Sequence, residues 1–312
     1  MDNIPQIVVL NGMHRSGTML FSRLINAFPD TYIIKDGIRI PWIFFRVESG
    51  DNFLYPRDCY RKPPFPLQLS KSISDIVLFK KILLDELDYL KLPKSLYSAL
   101  LNMINNCEGK ETYSNFFQRF FSKIAQETNA KTVGVKNTHM FQYAHEMLEV
   151  FPNMKWVNII RDVRGWYCST KVSHPLNVVS SALLWNKAAS LLIEDNINKQ
   201  RQIYLTFDEL IMSRTKTLKK VCDFLNMNFV IDDEWIEKLN LTENDGTKWY
   251  PNSSYSKKGK EIHGDQNKRR KNDYKIMDTL PVYRWRKKLS IIEIIALRIL
   301  SRRGLQLLGF LR

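Results

Sequence analysis

Two groups of residues in this 312-residue chain have the types and spacing to hold anionic groups. The first is Gly12-Met13-His14-Arg15-Ser16-Gly17-Thr18-Met19-Leu20, which follows a β-branched run and opens an amphipathic stretch. Gly12 and Gly17 let the backbone turn tightly, so the amides of residues 16–20 would point outward from a helix N-terminus. Arg15 and the hydroxyls of Ser16 and Thr18 would reinforce that cradle. An ordinary strand-to-helix turn with two glycines is the plainer alternative. The spacing invites comparison with the nucleotide loop G-x-x-x-x-G-K-[ST], yet Thr18 fills the lysine slot and Met19 the Ser/Thr slot. The cation for a γ-phosphate and the hydroxyl for Mg²⁺ are both missing, so metal-assisted ATP chemistry has no evident means here.

The second group is Arg161 at the end of a hydrophobic run, with Ser169 eight residues on in a helical pattern. That placement can bring a guanidinium and a hydroxyl to one phosphate, and Arg supplies the planar fork such an anion favours. The alternative is a surface pair of Arg161 with Asp162 and a solvated serine. Lys136 ends a third run, Thr132–Lys136, where it is either a site cation or a surface lysine. Late in the chain, residues 256–275 hold eight Lys/Arg against three Asp/Glu, which suits a basic flap or a solvated loop.

The elements that must position these groups alternate. Ile7–Asn11, the residues before Asp36, Thr132–Lys136, Lys155–Ile160 and Gln202–Thr206 read as strands. Helical periodicity covers Thr18–Phe28, 72–92, 95–106, 113–128, 176–199 and a stretch from Ser213 to Asn226, while 37–70 reads as irregular and Pro-rich. Alternation of this kind predicts an α/β fold with a parallel sheet flanked by helices, which binds ligands beyond the carboxyl ends of its strands. With 44% apolar and 12% aromatic residues the chain can bury a full core, which excludes disorder.

The formal charge of +15 (47 Lys+Arg against 32 Asp+Glu) admits nucleic acid, an anionic membrane or a polyanionic small molecule as partner. Four cysteines, Cys59, Cys107, Cys168 and Cys222, have neither disulfide nor zinc spacing. Without a basic leader, a cleavage site or an apolar span, the expected location is a reduced cytoplasm. A basic amphipathic helix is expected to close the chain, lying on an anionic membrane or packing its apolar face on the domain.

The first loop resembles the 5′-phosphosulfate loop of sulfotransferases that use 3′-phosphoadenylyl sulfate (PAPS), G-x-x-[RK]-[ST]-G-T-[TS]. The strand-end Arg161 followed by Ser169 resembles that family's 3′-phosphate site. Gly134-Val135-Lys136-Asn137, Phe151-Pro152-Asn153-Met154-Lys155, Thr206-Phe207-Asp208-Glu209-Leu210, Val221-Cys222-Asp223-Phe224-Leu225, Asn252-Ser253-Ser254-Tyr255 and Tyr283-Arg284-Trp285-Arg286 extend the likeness in order from about residue 6 to about 290. The resemblance implies one P-loop NTPase-like sulfotransferase domain over 1–312. It makes residues 37–128 a helical insertion shaping the acceptor pocket, and 242–282 a basic flap. For donor binding it implies Arg15, Ser16, Gly17, Thr18, Met19, Leu20, Arg161, Ser169, Phe207, Ser254, Lys257, Lys258 and Gly259. Three departures stand out: Leu20 replaces a tryptophan that stacks on adenine in many members, Phe207 replaces a tyrosine, and Asn137-Thr138 replaces the usual Thr/Asp-Pro.

The implied reaction moves a sulfuryl group from PAPS to an acceptor hydroxyl without a metal, with Arg15 and Lys136 supplying positive potential. For the base, the branch that includes tyrosylprotein and bacterial carbohydrate sulfotransferases places a glutamate twenty-one residues after the loop Arg, where this chain has Asp36. Cytosolic members use a histidine in K-x-H, and the counterpart here is Lys136-x-x-His139, one residue longer. An anionic glycan or glycolipid suits the surplus charge, and a phenolic or tyrosyl hydroxyl suits the aromatics. The rivals are a P-loop kinase or NTPase and a non-catalytic basic nucleic-acid-binding protein. No nucleic-acid motif is present, so nucleic acid is not an expected partner.

Overall fold

A computed structural model describes residues 4–35, 37–52, 65–173, 176–194, 200–249, 277 and 279–311. Five parallel strands, β1 (Gln6–Gly12), β2 (Thr31–Ile34), β3 (Thr132–Lys136), β4 (Met154–Ile160) and β5 (Gln202–Thr206), form one sheet in the order β2-β3-β1-β4-β5. The chain leaves β1 toward β2 and β3 on one side, while β4 and β5 lie on the other. The switch point therefore falls at the carboxyl end of β1, where such sheets open a crevice. Register places Leu10 beside Lys136 and Gly12 beside Ile159, so the loop, Lys136 and the residues after β4 share one edge.

The two-residue period of the strands divides the core into layers. Ile7, Val9, Val133 and Val135 face a cluster containing α2 (Ile40–Glu48), α3 (Ile76–Tyr89), α4 (Lys94–Asn105) and α5 (Tyr113–Thr128). Val8, Leu10, Val157 and Ile159 face α1 (Thr18–Asn26) on the opposite side. After β3 comes the short α6 (Ala144–Val150), and after β4 come α7 (Val163–Ser173) and α8 (Val178–Glu194). These two pack with the C-terminal helices around Trp166 and Trp185. Next after β5 come α9 (Phe207–Met212), α10 (Arg214–Phe224) and α11 (Asp233–Lys238).

Three expectations from the sequence need correcting. Residues 37–70 are not irregular throughout, because α2 lies within them. Its Ile40, Trp42, Ile43, Phe44, Phe45 and Val47 are all buried, so it carries no amphipathic period to reveal it. Pro41 sits in its first turn, where the missing N–H costs nothing. Second, the stretch between β5 and Ser213, where no helix was expected, holds α9, which starts at a Thr206–Glu209 capping box, while Ser213 starts α10 as read. Third, the closing segment is four short helices, Leu280–Tyr283, Trp285–Lys288, Ile291–Leu300 and Arg302–Leu307, and not one.

Candidate active site

The β1–α1 loop is held in a conformation that most residues avoid. Arg15 and Gly17 both have positive φ, 64° and 91°, with Ser16 between them. Alternation of this kind turns successive amides toward one side, which makes a nest for an anion. Only glycine suits position 17, since a Cβ there would also come within 2.3 Å of the Phe207 ring. Arg15 in the left-handed region is strained by roughly 1 kcal/mol. Phe21 donates the first intrahelical bond of α1, to Gly17 O at 2.9 Å, so the amides of Thr18, Met19 and Leu20 have no intrahelical acceptor. The Ser16 hydroxyl is fully buried at this turn and has no hydrogen-bond partner. A buried hydroxyl without a partner beside amides without intrahelical acceptors gives the loop the donors that an anion takes.

Arg161, one residue beyond β4, is almost wholly buried. Its guanidinium lies 4.5 Å from the centre of the Phe207 ring. One terminal nitrogen donates to Arg15 O at 3.3 Å and the other to Pro281 O. Gly165 admits it, for a Cβ there would approach Arg161 Nε to 2.9 Å. Among the described residues no carboxylate pairs with it. Burial pushes its pKa down to about 10, Asp208 works against that shift and Arg284 adds to it, so the group stays charged at neutral pH with its charge only partly offset. Asp208 is pushed up to about 6 by burial and by Asp162, with Arg161 opposing. Asp162 itself is committed to Arg164.

The two anion-holding groups read from the sequence turn out to be connected. Ser169, buried on α7 and expected to share a phosphate with Arg161, accepts a hydrogen bond from Arg15 Nε at 3.1 Å. Lys136 ends β3 in a buried position. His139, also buried, has φ 59° and donates its backbone N–H to Gly12 O at 3.0 Å. Its Nε2 accepts from the His14 backbone N–H at 3.2 Å and lies 2.6 Å from His14 Nδ1. Because Nε2 accepts from a backbone amide it carries a lone pair, so His14 Nδ1–H is the donor of the second bond. Beneath them Asn11 Nδ2 donates to Asn158 Oδ1 at 2.8 Å, and Met140 N donates to Asn11 Oδ1 at 3.0 Å, fixing the strand ends.

Of the remaining expected site residues, Thr18 is buried and Met19 half-buried on the first turn of α1. The Leu20 side chain belongs to the core under the sheet and presents no platform for a base. Phe207 lies between Gly17 and Arg161 as a floor for both. Asp36, Ser254, Lys257, Lys258 and Gly259 lie outside the described residues. Sequence reasoning passed over His14, which the loop pattern treats as a spacer. It also quoted Arg284 only as part of a late motif, with nothing to place it near Arg161.

The profile of the Sulfotransferase family matches residues 5–231, which include the loop, Lys136, Arg161 and Ser169. No curated protein matches the chain in sequence. The sulfotransferase domain from the Synechococcus PCC 7002 olefin synthase is similar with a TM-score of 0.55 and 12% identity, over 96% of this chain and 94% of that one. The sulfotransferase domain from the curacin biosynthetic pathway is similar at the same TM-score, 0.55, with 15% identity over 98% of each chain. At these identities the likeness shows the fold, a parallel sheet flanked by helices, and the profile shows the lineage: the chain belongs to the sulfotransferase family.

Proposed function

We propose that the chain transfers the sulfuryl group of PAPS to an acceptor hydroxyl and releases adenosine 3′,5′-bisphosphate. The observation that carries this reading is the pairing of a nest holding an orphan Ser16 hydroxyl with a buried Arg161 that no carboxylate contacts among the described residues, the two joined through Arg15. Arg15, Ser16 and the amides of Gly17, Thr18 and Met19 would hold the 5′ phosphosulfate. Arg161 and Ser169 would hold the 3′ phosphate, with Ser254, Lys257, Lys258 and Gly259 closing over it.

Sulfuryl transfer resembles phosphoryl transfer in needing little covalent help, so catalysis rests on positioning and on stabilising charge at the leaving oxygen and the equatorial oxygens. Arg15 and Lys136 are the cations at that edge of the sheet that we assign to this role. The acceptor hydroxyl must also lose a proton. We assign Asp36 as the base, because it stands where the resembling branch has its glutamate, two residues beyond Ile34, whose partner in β3 is Val135, the neighbour of Lys136. His139 is the weaker candidate, since its Nε2 lone pair already serves His14.

The surplus positive charge favours an anionic glycan or glycolipid as acceptor, ahead of a phenolic or tyrosyl hydroxyl. Free thiols at the buried Cys107, Cys168 and Cys222 favour a reducing cytoplasm. Titration calorimetry with adenosine 3′,5′-bisphosphate in the presence of EDTA tests the donor site, and binding is expected. Metal-dependent ATP binding without it would make the chain a kinase-like protein. A screen of hydroxyl acceptors with ³⁵S-labelled PAPS then identifies the acceptor. On that acceptor, Asp36→Ala is expected to lower kcat about 10²-fold with nucleotide affinity kept. Wild-type turnover in Asp36→Ala, with loss in His139→Ala, would reverse the assignment.

A further inference from the structure

The helix Ile291–Leu300 is apolar on two sides. Leu297 is fully buried and Ile294 packs against the core beside α7 and α8. On the opposite side Ile291, Ile292, Ile295 and Ile299 are 75%, 80%, 51% and 68% exposed. At the helical 100° per residue these four fall within about 100° of arc, so they form one stripe along the helix. An exposed stripe of four isoleucines is expensive in water, and single exposed apolar residues elsewhere do not make such a patch.

Charge identifies what covers it. Arg286, Lys287, Lys288, Arg298, Arg302 and Arg303 are all exposed around the ridge. The single acid between them, Glu293, is tied inward: it caps Ser290 and accepts from Lys171 Nζ at 2.6 Å and Tyr167 OH at 3.1 Å. A second copy of the same face would set these cations against their own counterparts, which opposes a twofold dimer. No helix among the described residues is long and apolar enough to cross a membrane, so the ridge can lie on a bilayer without spanning it.

We propose that this basic, isoleucine-ridged helix docks the protein on an anionic phospholipid surface. The stripe enters the boundary between headgroups and acyl chains while the flanking cations meet lipid phosphates. The Glu293 bonds to Lys171 and Tyr167 fix the docking helix on α7, the helix that also carries Ser169, so a docked molecule keeps the candidate active site close to the membrane. The inference rests on the ridge and its charges, and holds whether or not PAPS is the donor.

Flotation of the full chain with vesicles tests it. Vesicles of phosphatidylcholine with about 30% phosphatidylglycerol should carry the protein upward, and phosphatidylcholine alone should carry little. The triple variant Ile292→Ser/Ile295→Ser/Ile299→Ser should float about tenfold less, with melting temperature and adenosine 3′,5′-bisphosphate affinity unchanged. Arg298→Gln/Arg302→Gln/Arg303→Gln should lose about tenfold on the anionic vesicles alone. The proposal is overturned by an intact chain that floats with neither vesicle or equally with both, or by an isoleucine variant that floats like the wild type. It is equally overturned by a dimer in light scattering that the isoleucine substitutions convert to monomer.

Discussion

Arg23 and Arg161 are alike in every respect that burial can describe. Both side chains are nearly inaccessible, and both guanidinium groups lie over an aromatic ring, Trp249 at 4.7 Å for Arg23 and Phe207 at 4.5 Å for Arg161. They differ in what accepts their protons. Arg23 pairs with the carboxylate of Glu243 and donates to Met19 O at 2.9 Å. Beside it Lys35 Nζ donates to Glu243 O at 2.8 Å, so the two cations clamp the 242–249 segment onto α1 and the end of β2. Arg161 meets two backbone carbonyls and has Arg284 as a like-charged neighbour. Carbonyls offer partial charges against a full one, so the Arg161 site is left favouring an anion and the Arg23 site is closed. Burial of a charge does not by itself mark a binding site; the lack, among the described residues, of a carboxylate in direct contact does.

The sharpest break in that comparison comes from removing each guanidinium in turn. Arg161→Ala should weaken adenosine 3′,5′-bisphosphate binding by about 10²-fold in calorimetry, near 3 kcal/mol, because a buried charged contact to the ligand is lost. The free protein should lose little stability, since the residue contributes an incompletely offset charge. If Arg161→Ala binds the nucleotide as the wild type does, the reading of its site as the 3′-phosphate site is wrong.

Asp208 gives a smaller effect with a definite sign. Its carboxyl, raised from an ordinary 3.8 to about 6 chiefly by burial, keeps its proton in the folded chain at pH values where the unfolded chain has released it. The folded state then binds more protons than the unfolded state between those limits, so this group's contribution to stability is largest below about 3.8 and is lost as pH rises through about 6. Urea midpoints should show Asp208→Asn more stable than wild type by about 2 kcal/mol at pH 7, with the gap closing toward pH 4. A gap that widens on acidification would contradict the assigned environment. Smaller again, Arg23→Met should cost about 1–2 kcal/mol of stability and leave nucleotide affinity within about twofold, since Glu243 is partly exposed and stays solvated when its partner goes.

How much of this the sequence announces depends on how far apart the partners lie. The loop, Lys136 and Arg161 are legible because each ends a β-branched run, and parallel topology brings such ends to one edge; β5 was read at Gln202–Thr206, where the structure has it. The Arg15–Ser169 bond was hidden, because 154 residues separate its partners and the eight-residue spacing pointed only to a phosphate shared by Arg161 and Ser169. The Arg23–Glu243 pair spans 220 residues and carries no local signal at all. α2 escaped because it is apolar all round; the closing helix was read as lying on an anionic membrane or packing on the domain, but periodicity does not say which of its apolar faces is covered.

Ser16 supplies the finest discrimination, since two readings of one atom predict opposite balances. If its orphan hydroxyl is a packing imperfection, Ser16→Ala removes a buried unsatisfied group and changes nothing else. If the hydroxyl waits for a phosphosulfate oxygen, the same substitution exchanges stability for affinity. The free protein should gain up to about 1 kcal/mol, read as a raised urea midpoint, because the desolvation penalty of the unpaired hydroxyl disappears. Adenosine 3′,5′-bisphosphate binding should fall about fivefold, near the value of one neutral hydrogen bond. A stability gain with unchanged affinity would place the 5′ group elsewhere along the nest, on the amides of Gly17, Thr18 and Met19 and on Arg15, while leaving the Arg161 site untouched.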